Sequence, residues 1–283
     1  MEWTRYLQKP TYWLLALGVA LATLHLTILD RAGEPNLMSL SILLWLAIGS
    51  LLWDKRHNLH LESDLVSTLV GFSLIMLILC RGLAPTGYHL KISPFVSGFG
   101  LALMASGVKR LLDYWKELLI LGLLVLYSPL ANVLQAINLP LITAKASTFL
   151  LWLTGFKVYR EGVFINLPTG KVEVYGACSG IDSILLMLCI AVLFFLLIPI
   201  KTIQRIVCIG LAIFLGFIVN AARVSLMAIL VASRDMEAFD YWHGKDGSLI
   251  FSVIGVALFG LFCWLAYVRN MANLADSTKE EVR

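Results

Sequence analysis

Three side chains in the second half of the sequence have the types and the setting that acyl transfer needs. Cys178 lies in the run Tyr175, Gly176, Ala177, Cys178, Ser179, Gly180, Ile181, Asp182, at the point where a polar stretch gives way to an apolar one. A thiol at a helix N-terminus meets unpaired N–H groups and the positive end of the dipole, so the expectation is a lowered pKa and a nucleophilic thiolate. Gly176, Gly180 and the small Ala177 leave room for a second backbone to approach. Arg223 stands in Asn220-Ala221-Ala222-Arg223, late in an apolar run, and His243 in Tyr241-Trp242-His243-Gly244 before the next one. The thiolate attacks a carbonyl, the histidine carries a proton to the leaving amine, and the guanidinium stabilises the oxyanion.

Each residue also has an ordinary reading. A cysteine in an apolar protein usually behaves as a small hydrophobe, as do Cys80, Cys189, Cys208 and Cys263 inside their apolar runs. An arginine near the end of a membrane helix snorkels to the interface, and an exposed loop histidine needs no special role. Asn220 and Arg223 are three apart and share a helix face. Asp182, four residues after Cys178, is read as one turn below it, as a partner for Arg223 rather than a direct participant. His25, His57, His60 and His89 have weaker settings. No Cys/His spacing suggests a metal site, and the chemistry requires no metal or organic cofactor.

The elements that must position these residues are set by hydropathy. Apolar residues make up 59% of the 283 and charged residues 14%, with a mean hydropathy of +0.85. A water-soluble domain carries about 25% charged residues, and here the apolar residues come in long blocks. A bilayer span takes about 20 such residues. Eight segments qualify: 12–29, 38–53, 65–81, 94–108, 117–134, 179–199, 206–231 and 248–268. The chain is therefore expected to be an all-α polytopic membrane protein, one integral domain over 1–283, with no cleaved signal peptide. The net charge of +4 reflects basic residues at span ends and does not imply nucleic acid.

Eight spans put both termini on one side. Lys55, Arg56, Lys109, Lys116 and Arg205 share that side with Arg5, Lys9, Arg269, Lys279 and Arg283. By the positive-inside rule this side is cytoplasmic, although Arg31, Arg81, Lys91, Arg234 and Lys245 lie on the other. Residues 135–177 then form an extracytoplasmic insert. Within it 147–154 is too short to cross and reads as an interfacial or re-entrant piece. Alternation through Val158, Arg160, Val163 and Ile165, the turn Pro168-Thr169-Gly170, then Val172 and Val174 predicts a small β-hairpin between spans five and six. Cys178, Arg223 and His243 fall on that same outer face.

Ala177-Cys178-Ser179-Gly180, Asn220-Ala221-Ala222-Arg223 and His243-Gly244 in this order resemble the Cys, Arg and His motifs of the exosortase/archaeosortase family, and the cyanobacterial branch is the one suggested. The resemblance covers mainly 175–247, the catalytic motif region; the earlier spans agree in number and hydrophobicity only. It implies a cysteine protease or transpeptidase of the bacterial inner membrane, with Cys178 as nucleophile, Arg223 as stabiliser and His243 as acid/base. Asn220, Asp182, Ser179 and Gly180 would support them. Its partners would be C-terminal sorting signals of exported proteins, with a Pro-Glu-Pro-type motif, an apolar span and a basic tail, entering laterally from the bilayer. A transporter or flippase with Arg223 and Asp182 lining a path is the rival class. Against it, no pair of Gly/Pro-broken spans marks a midplane site. A non-catalytic scaffold for envelope assembly is the third reading.

Overall fold

The computed structural model describes residues 10–81 and 87–269. The terminal charges Arg5, Lys9, Lys279 and Arg283 of the topology argument lie outside the described residues. The chain divides into two compact units at Pro129 and Leu130. In the first lie α1 (Pro10–Ala32), α2 (Pro35–Asp54), α3 (Leu65–Arg81), α4 (Gly87–Ser106), the 3-10 segment Val108–Tyr114 and most of α5 (Trp115–Ala136). The second contains α6 (Leu139–Leu153), strands β1 (Tyr159–Glu161), β2 (Phe164–Leu167) and β3 (Gly170–Glu173), and the 3-10 turn Gly176–Cys178. It continues with α7 (Ile181–Leu197), α8 (Thr202–Ala232), the short α9 (Met236–His243) and α10 (Lys245–Cys263).

All eight apolar segments are helical over most of their length. Among the described residues five stretches are long and apolar enough to cross a bilayer: Pro10–Ala32, Leu37–Asp54, Val108–Ala136, Thr202–Ala232 and Asp246–Val268. Leu65–Arg81, Leu139–Leu153 and Ile181–Leu197 are shorter apolar helices. Large apolar side chains such as Leu15, Leu46, Leu69, Phe214 and Val253 point outward. In water that surface would aggregate; in hydrocarbon it is ordinary solvent contact, because a helix satisfies its own backbone.

Polar side chains in the first unit are tied down locally. The Trp45 indole N–H donates to His25 Nδ1 at 3.2 Å, which leaves the other ring nitrogen to donate to the Leu90 carbonyl at 3.1 Å. Lys55 pairs with the buried carboxylate of Glu117 at 2.8 Å. Gly71 and Gly100 let α3 and α4 touch backbone to backbone, since a Cβ on Gly71 would collide with the Gly100 carbonyl.

The second unit is organised by α8. Cys208, Ala212, Gly216, Asn220, Val224 and Ala228 recur every four residues along it and all are buried. This is a row of mostly small side chains on one face, the device by which helices without a hydrophobic drive between them approach closely. A Cβ on Gly216 would lie 2.8 Å from Ile184 Cα and 2.9 Å from the Ser183 carbonyl of α7. On its other flank α8 binds α6: Ser147 Oγ donates to the Ala221 carbonyl at 2.9 Å, and Ser225 Oγ donates to the Ser147 carbonyl at 3.2 Å.

Two expectations change here. The apolar piece 147–154 is the end of a 15-residue helix starting at Leu139. Pro140, which reads as a breaker, sits in the first turn, where its missing N–H is unused. The β-hairpin is a three-stranded antiparallel sheet in the order β1-β2-β3. The second turn is made at Gly162, whose φ of +61° suits glycine. Ile165, Leu167 and Val174 pack with Leu151 of α6 and with Val224, Met227 and Ala228 of α8 in one core that includes Cys178.

The Gly216 contact has a measurable consequence. Gly216→Ala must push backbone atoms apart and should cost about 1–3 kcal/mol, the range for overpacking. Gly210→Ala, with nothing within 4 Å of the new Cβ, should be neutral or slightly stabilising through helix propensity. Thermal unfolding of both variants in detergent checks this; equal melting temperatures would refute the close approach.

Candidate active site

Cys178 closes the 3-10 turn between β3 and α7. Its N–H donates to the Tyr175 carbonyl at 2.9 Å, and the Ser179 N–H donates to the Gly176 carbonyl at 3.2 Å. Ser179 Oγ also returns to the Gly176 carbonyl, at 2.6 Å. Gly180 then adopts φ +88° and begins α7 as its N-cap. A left-handed residue at this point separates the turn from the helix, so Cys178 is not part of α7. The expectation that Asp182 lies one turn below Cys178 therefore fails, because helical spacing does not run through Gly180. Asp182 is half-buried in the first turn of α7.

The turn is held from two sides. Asn220 Nδ2 of α8 donates to the Cys178 carbonyl at 2.9 Å, and Thr143 Oγ1 of α6 donates to the Ser179 carbonyl at 2.7 Å. Asn220 and Ser179 are almost wholly buried, so these bonds replace water rather than compete with it. Gly180 is required twice over: its φ is left-handed, and a Cβ would stand 2.8 Å from Asn220 Nδ2. Gly176, by contrast, has nothing within 4 Å of a Cβ.

Histidine 243 arrives from α9. Asp235 caps that helix by accepting from the Ala238 N–H at 3.1 Å. The His243 ring stacks on Phe239 one turn earlier, with centroids 5.3 Å apart and planes 8° from parallel. A Cβ on Gly247 would meet Trp242 backbone atoms, so this glycine brings the first turn of α10 against the last turn of α9. His243 Nε2 then lies 3.8 Å from Cys178 Sγ and 3.2 Å from the Tyr175 hydroxyl.

Arg223 is half-buried and spans the gap between α8 and α9. Nε donates to the Trp242 carbonyl at 3.3 Å and Nη2 to the His243 carbonyl at 2.8 Å. These carbonyls lie at the C-terminal end of α9, where unpaired acceptors and the negative end of the dipole favour a cation. A guanidinium has five N–H donors, so the two bonds leave others for a ligand.

The structure thus brings Cys178, Arg223 and His243 together, with Asn220, Ser179 and Gly180 fixing the turn. Two neighbours escaped the sequence reading. Tyr175 was only the first residue of a motif, and Thr143 lay in a stretch with no recognisable signal. An aromatic three residues before a cysteine flanked by glycines is too common a pattern to single out.

The thiol also differs from expectation. Cys178 is only 6% exposed, and burial pushes the thiol above its ordinary range, against the opposing effects of the Tyr175 hydroxyl and the Arg223 charge. The expected lowering fails because burial outweighs the hydrogen bond and charge that favour the thiolate.

These features describe a multi-pass membrane protein with a buried cysteine facing a histidine and an arginine-clamped loop. The chain matches the family model for transmembrane exosortase (Exosortase_EpsH) over residues 33–260 and belongs to that family. Membership carries the coarse role of a membrane-embedded cysteine transpeptidase acting on sorting signals. No curated protein and no solved structure gives a significant match.

Alkylation reads out the state of the thiol. With Cys80, Cys189, Cys208 and Cys263 replaced by serine, iodoacetamide labelling of Cys178 should be slow at pH 7. The rate should still be climbing above the pH at which ordinary thiols ionise, because burial extends the neutral form upward. A labelling rate already at its plateau near pH 7, followed by mass spectrometry, would contradict the raised pKa.

Proposed function

We propose that Cys178, His243 and Arg223 are the catalytic residues of a membrane-surface cysteine transpeptidase that processes C-terminal sorting signals of the Pro-Glu-Pro type. The observation that carries the reading is the meeting of Cys178 Sγ and His243 Nε2 at 3.8 Å, from segments 65 residues apart. The separation is long for proton transfer, as resting active sites often are before substrate closes them.

The thiol S–H bond breaks as its proton passes to Nε2, and the sulfur adds to the scissile carbonyl carbon. The developing oxyanion needs N–H donors. Those of Cys178 and Ser179 are already used inside the turn, which favours the remaining donors of Arg223. As the C–N bond breaks, Nε2–H returns its proton to the leaving amine, and a thioester is left on Cys178. A second amine, or water, then attacks that thioester as His243 takes its proton; the C–S bond breaks and Nε2–H returns the proton to the departing Cys178 sulfur. Asn220, Ser179, Gly180 and Asp182 support the site without taking part in bond changes. No step requires a cofactor or a metal.

The membrane arrangement follows from the same residues. Arg223 lies 21 residues beyond Thr202, about 32 Å along α8 at 1.5 Å per residue. That is close to the roughly 30 Å thickness of the hydrocarbon. The Thr202 end of α8 is capped by Lys201 and carries Arg205 in its first turn, so the positive-inside rule supports a cytoplasmic start and an extracytoplasmic site. We infer an inner-membrane protein of eight spans forming one domain, with both termini cytoplasmic, residues 135–177 as an extracytoplasmic insert and 175–247 as the catalytic region. The partner is the tail of an exported protein, with its motif, apolar span and basic end, approaching within the bilayer.

The test is co-expression with a tail-signal substrate. Cys178→Ala should abolish processing, and His243→Ala should lower it by about 10²–10⁴-fold, the worth of general acid–base catalysis. Arg223→Lys keeps the charge but loses the planar fork, and should cost on the order of a hundredfold, as for loss of an oxyanion donor. Mass spectrometry should find substrate acyl groups on Cys178. Near-normal processing by Cys178→Ala would overturn the covalent mechanism, and a reporter fused after Arg283 that scores periplasmic would overturn the topology.

A further inference from the structure

The ring nitrogen that faces the thiol has a second suitor. Tyr175 precedes the 3-10 turn in extended conformation, and its carbonyl accepts the Cys178 N–H. The residue before it, Val174, is buried in the core with Cys178. The turn that places the thiol therefore also places the phenol. Its hydroxyl lies 3.2 Å from His243 Nε2, closer than Cys178 Sγ at 3.8 Å. A neutral imidazole nitrogen with a free lone pair accepts one proton at a time. The stack on Phe239 holds the ring plane, and the Arg223 bond to the His243 carbonyl holds its backbone, so Nε2 has little freedom to turn away.

We propose that Tyr175 is a positioning residue that exchanges partners during activation of the nucleophile. In the resting protein its O–H donates to His243 Nε2 and keeps that nitrogen unprotonated and aimed at the thiol. When the thiol proton passes to Nε2, the Nε2 lone pair is lost and the tyrosine hydroxyl turns to donate to the new thiolate. One S–H bond breaks and one N–H bond forms. Tyrosine keeps its own proton throughout, trading an O–H···N hydrogen bond for O–H···S⁻. The exchange supplies the thiolate with a hydrogen bond that its buried turn otherwise lacks, since both nearby backbone donors are engaged.

The electrostatics agree with this geometry. A thiolate at Cys178, and secondarily burial, hold the Tyr175 hydroxyl above the usual phenol range, so it remains a donor through neutral and mildly alkaline pH. The charged and titratable groups meeting at the thiol are Tyr175 from the strand exit, Arg223 from α8 and His243 from α9. The carboxylates on the adjoining elements are Glu173 on β3, Asp182 on α7, Glu237 and Asp240 on α9 and Asp246 on α10. All of these persist when tyrosine is replaced by phenylalanine, so the difference between the two proteins isolates the hydroxyl.

The proposal rests on the catalytic reading of Cys178 and His243, and Tyr175→Phe in the full-length protein tests it separately. The ring is half-exposed and its shape is kept, so folding should be preserved; a melting temperature in detergent within a few degrees of wild type establishes that. A hydrogen bond to a charged group is worth about 1.5–3 kcal/mol, or roughly one to two pH units. The midpoint of Cys178 alkylation should therefore move up by that amount, and kcat for the tail-signal substrate should fall about 10–100-fold with KM little changed. Tyr159→Phe, on exposed β1, should match wild type in both assays. An unchanged or lowered alkylation midpoint in Tyr175→Phe would overturn the proposal while Cys178→Ala still abolished processing. Undiminished processing by Cys178→Ala would instead remove the catalytic reading on which it rests.

Discussion

Two polar side chains three residues apart on a membrane helix hold the site together. Asn220 and Arg223 sit on α8, the first buried and the second half-buried among apolar residues. A polar group in that position is stable only if other parts of the protein satisfy it. Asn220 finds the Cys178 carbonyl and Arg223 finds the Trp242 and His243 carbonyls. The need of α8 to satisfy its own polar groups thereby ties the cysteine turn to one end of a bracket and the histidine helix to the other. Cutting either tie would free one half of the pair relative to the other.

The bracket works only because α8 is narrow. Small residues at every fourth position let α7 lie against Gly216 with backbone contact, which brings the start of α7, and the turn before it, within reach of Asn220. Beyond Arg223 the helix runs on for more than two turns, and there it becomes a post for the sheet. Thr169 Oγ1 donates to the Ala232 carbonyl at 2.6 Å, and a Cβ on Gly170 would press on Ala232 backbone atoms at 2.8 Å. The sheet is thus fixed to the helix that carries Arg223, and β3 delivers Tyr175 and Cys178 from it. A flexible loop of the same length would lose conformational entropy each time it brought the thiol into line; the strand and its tight turn have already done so.

Burying the proposed nucleophile has opposite effects on stability and reactivity. Packing Cys178 among Ala144, Val174 and Val224 shields it from solvent and oxidation, yet it disfavours the charged form needed for attack. The surroundings divide the remedy between an acceptor for the proton and fixed sources of positive potential.

The sequence by itself determined the solvent and the cast. Long apolar blocks with few charges demand a bilayer, because no aqueous core would hold them. The order of Cys178, Asn220, Arg223 and His243 around two apolar runs pointed to residues that the fold then brings together. Even the alternation through Val163, Ile165, Val172 and Val174 announced strands. What it did not contain were distances and breaks in local periodicity. The left-handed Gly180 separates Cys178 from α7, so the spacing to Asp182 failed where a single φ angle departed from helix, while the expected lowering of the thiol pKa was outweighed by burial. Thr143 and Tyr175 reach the site through packing of α6 and the exit of β3, and nothing in their own neighbourhoods signals it. The third strand depended on a turn at Gly162 that local composition left open. Burial of the thiol, finally, is a property of the assembled second unit: five segments converge on Cys178, and only their convergence takes it out of water.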